Sequence, residues 1–285
     1  MPLNIGEINT LKVKRETDIS YILTEDLESS YNEVFMHFNQ ATRRLTEGEV
    51  VNVFLYYDNR HRLCATMEEP FITTKNFGFV KCVAVKENVG CFMNIGIAKD
   101  ILLSKDILPN ITKAWPKPGD LLPCILKEKK DSLVVKILSK EELKKESTNL
   151  KLGDTVTAYV THFTSTGLQC TTLEYDVIYV HKSLIRKKYR IGEEIILTII
   201  NINKNNEFNG STITQKETMR LSDSEMILNY LKEMGGVLPL GNASSPEEIN
   251  KIFTLSKSAF KRAVGALYKD RLISIEDNKI TLIEK

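Results

Sequence analysis

The sequence predicts a mainly β chain, three five-stranded β-barrels in tandem, followed by a smaller α+β domain. Three observations carry this reading. Residues 5–217 are rich in short β-branched or alternating runs broken by Gly, Asn and Asp. Two phrases recur in that stretch with a period of roughly 65–70 residues, too large for a solenoid unit and right for an independent small barrel. From about residue 218 the apolar residues take up a helical period instead.

The bulk properties set the frame. At 285 residues the chain exceeds one domain of ordinary size, and 42% hydrophobic with 27% charged residues suits a globular protein. No apolar run approaches the roughly 20 residues that cross a bilayer, and Met1 to Glu7 lack a basic region followed by an apolar stretch. A cytoplasmic protein without membrane contact is therefore expected. The cysteines (Cys64, Cys82, Cys91, Cys124, Cys170) form no CxxC pair and sit in strand-like contexts, which predicts reduced core residues. The histidines (His37, His61, His162, His181) lack metal-ligand spacing, and no cofactor is expected. The net charge of +2 is uneven: residues 1–66 carry −3 and residues 67–140 carry +4. Attraction to a polyanion concentrates in the second segment.

The first recurring phrase is a glycine and an acid leading into a strand: Gly48-Glu49, Gly119-Asp120, Gly153-Asp154 and Gly192-Glu193. Glycine supplies turn geometry, and the residues after the acid alternate toward a core. The second phrase pairs Gly90-Cys91-Phe92-Met93-Asn94 with Asp100 to Leu108, and later Gly167-Leu168-Gln169-Cys170 with Asp176 to Ile185. Each block ends in a hairpin, at 127–131 and 203–206, and the first 66 residues follow the plan more loosely to a hairpin at 57–61. The expected division is 1–66, 67–140, a polar linker at 141–149, and 150–217. The final domain, 218–285, reads as a helix from Ser222 to Met234 stopped by Gly235-Gly236. A second helix follows a Ser244-Ser245-Pro246 start, and a third opens at Ser256 with Phe260, Val264, Leu267 and Tyr268 on one face. A hairpin closes it at Asp277-Asn278. Three helices and a hairpin are the order of a winged helix.

The stretch Gly90 to Asp106 with Trp115-Pro116-Lys117-Pro118-Gly119-Asp120, and the stretch Ser256 to Lys269, resemble the conserved virulence factor B family. That resemblance implies three tandem S1/OB-type five-stranded barrels and a C-terminal winged helix. It also implies a bacterial cytosolic protein that binds RNA and influences gene expression, virulence included.

Barrels of this type bind single strands on the face of their second and third strands, with aromatics stacking bases and cations following phosphates. In the second barrel the candidate RNA contacts are Phe79, Lys81, Phe92, Lys99 and Lys105, with Phe77 alongside; Phe79 and Val83 also have a core reading. In the third barrel Leu168 and Cys170 stand where stacking aromatics would help, so Tyr179, His181 and Lys182 become the candidates. Arg186, Lys187 and Lys188, in a run that continues to Tyr189 and Arg190, are either phosphate contacts or a solvated turn. In the first barrel Tyr31, Phe35, His37, Arg43 and Arg44 form a mixed set within an acidic module. Lys257, Lys261, Arg262 and Lys269 of the third helix suit either nucleic acid or a protein partner.

An enzyme is not expected, because no phosphate-binding loop, zincin, nucleophile-elbow or dinucleotide motif occurs. The recurring acids follow turn glycines, so strand-start geometry accounts for them. Two other readings stand beside the single-stranded RNA binder. One is a scaffold on the ribosome or RNA polymerase, and the other is a DNA regulator led by the winged helix.

Overall fold

The recurring glycine–acid phrase is a turn that launches a strand. Gly48, Gly119, Gly153 and Gly192 all have φ between +79° and +99°, where L side chains are strained. The acid that follows accepts the backbone N–H of the residue three positions earlier. Glu49 takes Thr46 at 3.0 Å, Asp120 takes Lys117 at 2.7 Å, Asp154 takes Lys151 at 2.8 Å, and Glu193 takes Arg190 at 3.1 Å. The same carboxylate device thus starts four strands.

The computed structural model describes residues 3–28, 33–143, 148–185, 187–203, 207–213, 215–253 and 255–283, with backbone alone over 215–222. The first barrel consists of β1 (Ile8–Glu16), β2 (Ser20–Thr24), β3 (Val34–His37), β4 (Val50–Tyr57) and β5 (Leu63–Thr66). The second consists of β6 (Gly78–Lys86), β7 (Gly90–Asn94), β8 (Ile101–Ser104), β9 (Leu121–Glu128) and β10 (Leu133–Ile137). The third consists of β11 (Thr155–Phe163), β12 (Gly167–Thr171), β13 (Val177–His181), β14 (Glu194–Ile202) and β15 (Phe208–Ser211).

All three sheets close in one strand order, first-second-third-fifth-fourth, with the third and fifth strands parallel. That is the OB topology. Each first strand carries a register shift opposite the second strand, at Val13/Arg15, Cys82/Ala84 and Val160/His162. An extra residue there bends the strand so that a short sheet can close. Val83 is the extra residue of the second barrel, which is why it is 37% exposed and not core.

Inward residues alternate with outward ones along each strand. Leu11, Val13, Leu23, Met36 and Leu55 fill the first barrel. Val80, Cys82, Cys91, Met93 and Leu103 of the second barrel join Val160, Cys170, Ile178 and Leu197 of the third in one continuous core. All five cysteines are free and buried in these cores.

The described part of the connection between the second and third barrels, 139–143 and 148–149, packs more closely than its polar sequence implies. Lys136 pairs with Glu142 at 2.7 Å, Glu142 also accepts the Ser139 N–H at 3.0 Å, and Leu143 is buried. Thr148 then donates to Asp176 of the third barrel at 2.9 Å.

Residues 1–212 form one compact unit and 213–285 another. The second unit contains α1 (Gln215–Glu233), β16 (Val237–Leu238), α2 (Pro246–Phe253), α3 (Lys257–Lys269), β17 (Ile273–Ile275) and β18 (Ile280–Leu282). The helix expected from Ser222 starts at Gln215, ahead of the first apolar period. A small sheet in the order β16-β18-β17 makes the wing. Ser245 and Glu248 form a reciprocal capping box at 3.2 and 2.7 Å, and Ser256 caps α3 through the Ala259 N–H at 3.2 Å. Ile227, Leu231, Ile249, Phe253, Phe260, Val264 and Leu267 make the core. Tyr268, expected on the apolar face of α3, is instead 58% exposed.

Candidate nucleic-acid interface

Strand pairing fixes which residues share a rung on the outer face of each barrel. In the second barrel Ala84 pairs with Phe92, Phe92 with Leu102, Leu102 with Val134, and Val134 with Lys127. Cys91 and Met93 point into the core, so the pleat turns Phe92 and Asn94 outward. Phe92 is half-buried at the centre of this rung. Lys81 pairs with Asn94 on the neighbouring outward row and is exposed, as are Lys86, Lys105 and Lys127.

The same rung in the third barrel is His162, Gln169, Tyr179 and Asn209. Here the register corrects the sequence reading. The counterpart of Phe92 is Gln169, because Leu168 and Cys170 face inward. In the first barrel the rung runs through Ile22, Phe35 and Cys64. At this level stand Phe92 on the second strand of its barrel and Phe35 and Tyr179 on the third strands of theirs, while the first barrel's rung continues from Cys64 to a second aromatic, the buried Tyr56. Phe35, Phe92 and Tyr179 are all candidates from the sequence, but only the strand register shows that they share one level on different strands.

The three rungs are not equally open. The Arg62 guanidinium lies over the Phe35 ring at 5.6 Å, and the Tyr179 hydroxyl is 2.7 Å from Thr166 Oγ1 as donor. His162 Nδ1 and Gln169 Nε2 are buried without a hydrogen-bond partner among the described residues. Burial depresses the His162 pKa, against the smaller opposing influence of Glu141 and Glu142 in the connecting turn. Tyr31 and Arg186 lie outside the described residues. Arg43 pairs with Glu49 at 2.5 Å, and Arg44 is exposed.

Several candidate contacts stand in the seams between barrels. The Phe79 ring stacks on Tyr175 at 5.4 Å and meets Tyr159 at 5.6 Å, both in the third barrel. Phe77 meets Tyr175 edge-on at 5.1 Å. Lys99 donates from Nζ to the Tyr57 carbonyl of the first barrel at 2.5 Å, and burial pulls its pKa below the usual lysine value. These side chains hold modules together.

His181 acts in the local backbone. Its Nδ1 accepts the Ser183 N–H at 3.3 Å and lies 2.8 Å from Ser183 Oγ, capping the short 3-10 turn Lys182–Leu184. His37 and Ser104 cap the equivalent turns, which explains the His181–Ser183 proximity without a nucleophile–base role. Lys182, Lys187 and Lys188 line a groove between the second and third barrels, about 760 Å³ in volume. Lys113, Lys117, Phe163, Tyr189 and Arg190 share it, and sequence reasoning did not connect the first three to this site. Lys187 pairs with Glu193 at 2.7 Å and sits over the Tyr189 ring at 4.8 Å.

In the second unit Lys261, Arg262, Tyr268 and Lys269 are exposed along α3, whereas Lys257 at its first turn is half-buried. Among the described residues no three His, Cys, Asp or Glu side chains gather as a metal site, and no helix is long and apolar enough to cross a membrane.

Three closed barrels of one topology and a winged helix define a tandem S1-type protein. The S1 domain family matches residues 5–68, the CvfB first S1-like domain matches 77–135, and the CvfB-like winged helix domain matches 225–282. Conserved virulence factor B of Staphylococcus aureus (strain N315) is 31% identical over 247 residues, 85% of this chain and 82% of that protein. The chain belongs to the conserved virulence factor B family. The uncharacterized protein YitL of Bacillus subtilis (strain 168) is 29% identical over 269 residues, 93% of this chain and 89% of that protein. The crystal structure of a multidomain protein with nucleic acid binding domains from Streptococcus pneumoniae covers 98% of both chains, with a TM-score of 0.61 and 25% identity.

Proposed function

We propose that this protein binds single-stranded RNA, catalyses no reaction, and makes its primary base contact on the outer face of the second barrel. The observation carrying this reading is the rung Ala84–Phe92–Leu102–Val134–Lys127. It sets one aromatic among small and aliphatic neighbours with exposed lysines around it, in the most basic segment of the chain. A ring in that setting stacks bases without demanding a particular one, and the lysines neutralise phosphates. Phe35 and Tyr179 on the equivalent rungs add weaker contacts, and linking such modules multiplies their affinities. Binding of this kind supports a post-transcriptional role in gene expression in the bacterial cytoplasm.

The test is fluorescence anisotropy of the full chain with labelled single-stranded RNA, matched single-stranded DNA and duplex DNA across a salt series. A stacked base contributes about 1–3 kcal/mol, so Phe92→Ala should weaken RNA binding roughly 5- to 150-fold. Undiminished binding by that variant removes the second barrel's rung as the reader. Preference for duplex DNA would transfer the function to α3.

A second reading, a scaffold that docks on the ribosome or RNA polymerase, draws on the first barrel. That barrel is net acidic and its Phe35 ring lies under Arg62. Partner binding of that kind would persist at salt concentrations that release RNA.

A further inference from the structure

We infer that the groove between the second and third barrels holds the sugar–phosphate backbone of the RNA strand, as a site separate from the Phe92 rung. The ligand class rests on the proposed RNA binding; the location rests on the groove itself.

Charge is the first argument. Six cations line the groove: Lys113, Lys117, Lys182, Lys187, Lys188 and Arg190. Glu193 is the one acid among the lining residues, and it is held by Lys187 at 2.7 Å and Arg190 at 3.1 Å. Arg190 is further neutralised by Asp120. Lys113, Lys117, Lys182 and Lys188 are exposed and have no carboxylate within ion-pair distance among the described residues. Elsewhere at this junction cations are paired across it, as Lys140 is with Glu207. Four unneutralised lysines converging on one concavity focus positive potential into it.

The second argument is the apolar complement. Phe163 is 38% exposed, Ile111 is 67% exposed, and Tyr189 is half-buried in the same lining. An exposed ring and aliphatic side chain set among lysines match a chain that alternates flat bases with phosphates.

The third argument is rigidity. The Ile191 N–H donates to the Ala114 carbonyl at 2.9 Å, and the Leu121 N–H donates to Gly192 at 3.3 Å, so backbone joins backbone across the two barrels. A Cβ on Gly192 would lie 2.8 Å from the Asp120 Cβ, and only glycine permits this approach. The Trp115 indole donates to the Pro109 carbonyl at 2.6 Å and pins the loop that carries Ile111 and Lys113, and the Lys117 N–H is fixed by Asp120 at 2.7 Å. The groove's width is therefore set before a ligand arrives, which lowers the ordering cost of binding.

Neutralising phosphates on a single strand makes log K fall with log salt by about 0.7 per contact, so four lysines predict a contribution of about −2.8 to the slope. The experiment measures RNA anisotropy from 50 to 200 mM salt for the full chain, for Lys182→Ala/Lys188→Ala, and for Phe92→Ala. Losing two lysines should flatten the slope by about 1.4, so the variant's deficit shrinks about sevenfold across that range. Lys182→Arg/Lys188→Arg should restore the slope. An unchanged slope in the alanine pair overturns the groove. The two sites separate cleanly. If Phe92→Ala alone matters, the groove is wrong and the rung stands. If the lysine pair alone matters, the groove stands and the rung is wrong.

Discussion

Arg190 is the latch of the seam, and Arg190→Ala should open it. Its guanidinium binds Asp120 in a fork, Nε to Oδ2 at 2.8 Å and Nη2 to Oδ1 at 2.9 Å, with the two side chains only 25% and 10% exposed. The hydrogen bond to Asp120 is also the main reason its pKa is raised. Alanine leaves Asp120 with the Lys117 N–H as its remaining partner, a carboxylate nearly buried and half satisfied. Breaking a fully buried pair costs about 3–5 kcal/mol, and the partial exposure of Arg190 reduces this to about 3 kcal/mol. The neighbouring backbone bonds, Ile191 to Ala114 and Leu121 to Gly192, report the change directly. Their amide hydrogens should exchange roughly 100-fold faster in the variant when seam opening controls exchange. Arg190→Lys should recover only part of the protection, because an ammonium cannot reproduce the fork. If the Ile191 and Leu121 amides exchange at the wild-type rate in Arg190→Ala, the ion pair does not hold the seam.

Two further predictions follow from groups whose roles the packing defines. Phe79→Ala removes a ring in contact with Tyr175 and Tyr159, and should destabilise the full chain by about 2–3 kcal/mol, less than for a fully buried phenylalanine. A urea midpoint equal to wild type would mean that this stacking contributes nothing to the seam. His162 has a depressed pKa in the folded chain, so below its ordinary value of 6.5 the unfolded state takes up a proton that the native state resists. Stability should therefore fall as pH drops through 6.5 toward 5 and stay level above it. His162→Asn should flatten that dependence, and a variant whose pH profile matches wild type would exclude His162 as its source.

Most of the architecture was legible in the sequence because it is written in local chemistry. Glycine followed by an acid specifies a turn that any context would favour, and the four such turns marked strands in each barrel. Alternation identified the core-facing residues, and Ser245, Glu248 and Ser256 announced their helices through capping. Other features were harder to see. The core reading that alternation left open for Val83 fails because a sequence pattern cannot anticipate the extra residue of a bulge. Tyr268 was placed on the buried stripe, although the face of α3 against the other helices is narrower than its apolar residues imply.

The site was legible only in outline. Residue type and charge indicated a basic, aromatic surface in the second segment, and Phe92 follows from strand period alone. Which side chains are available was decided by contacts far apart in sequence. Phe79 and Lys99 have the right chemistry for RNA, yet one is stacked on Tyr175 and the other hydrogen-bonded to Tyr57 across a seam. Lys113 and Lys117 meet Lys182 and Lys188 only because Asp120, Gly192 and Arg190 lock two barrels edge to edge. The sequence by itself determined the barrels, since turns, caps and alternation act over a few residues. Tertiary structure alone decided the groove and the engaged aromatics, because inter-barrel packing depends on the shapes of two finished surfaces that no local pattern encodes.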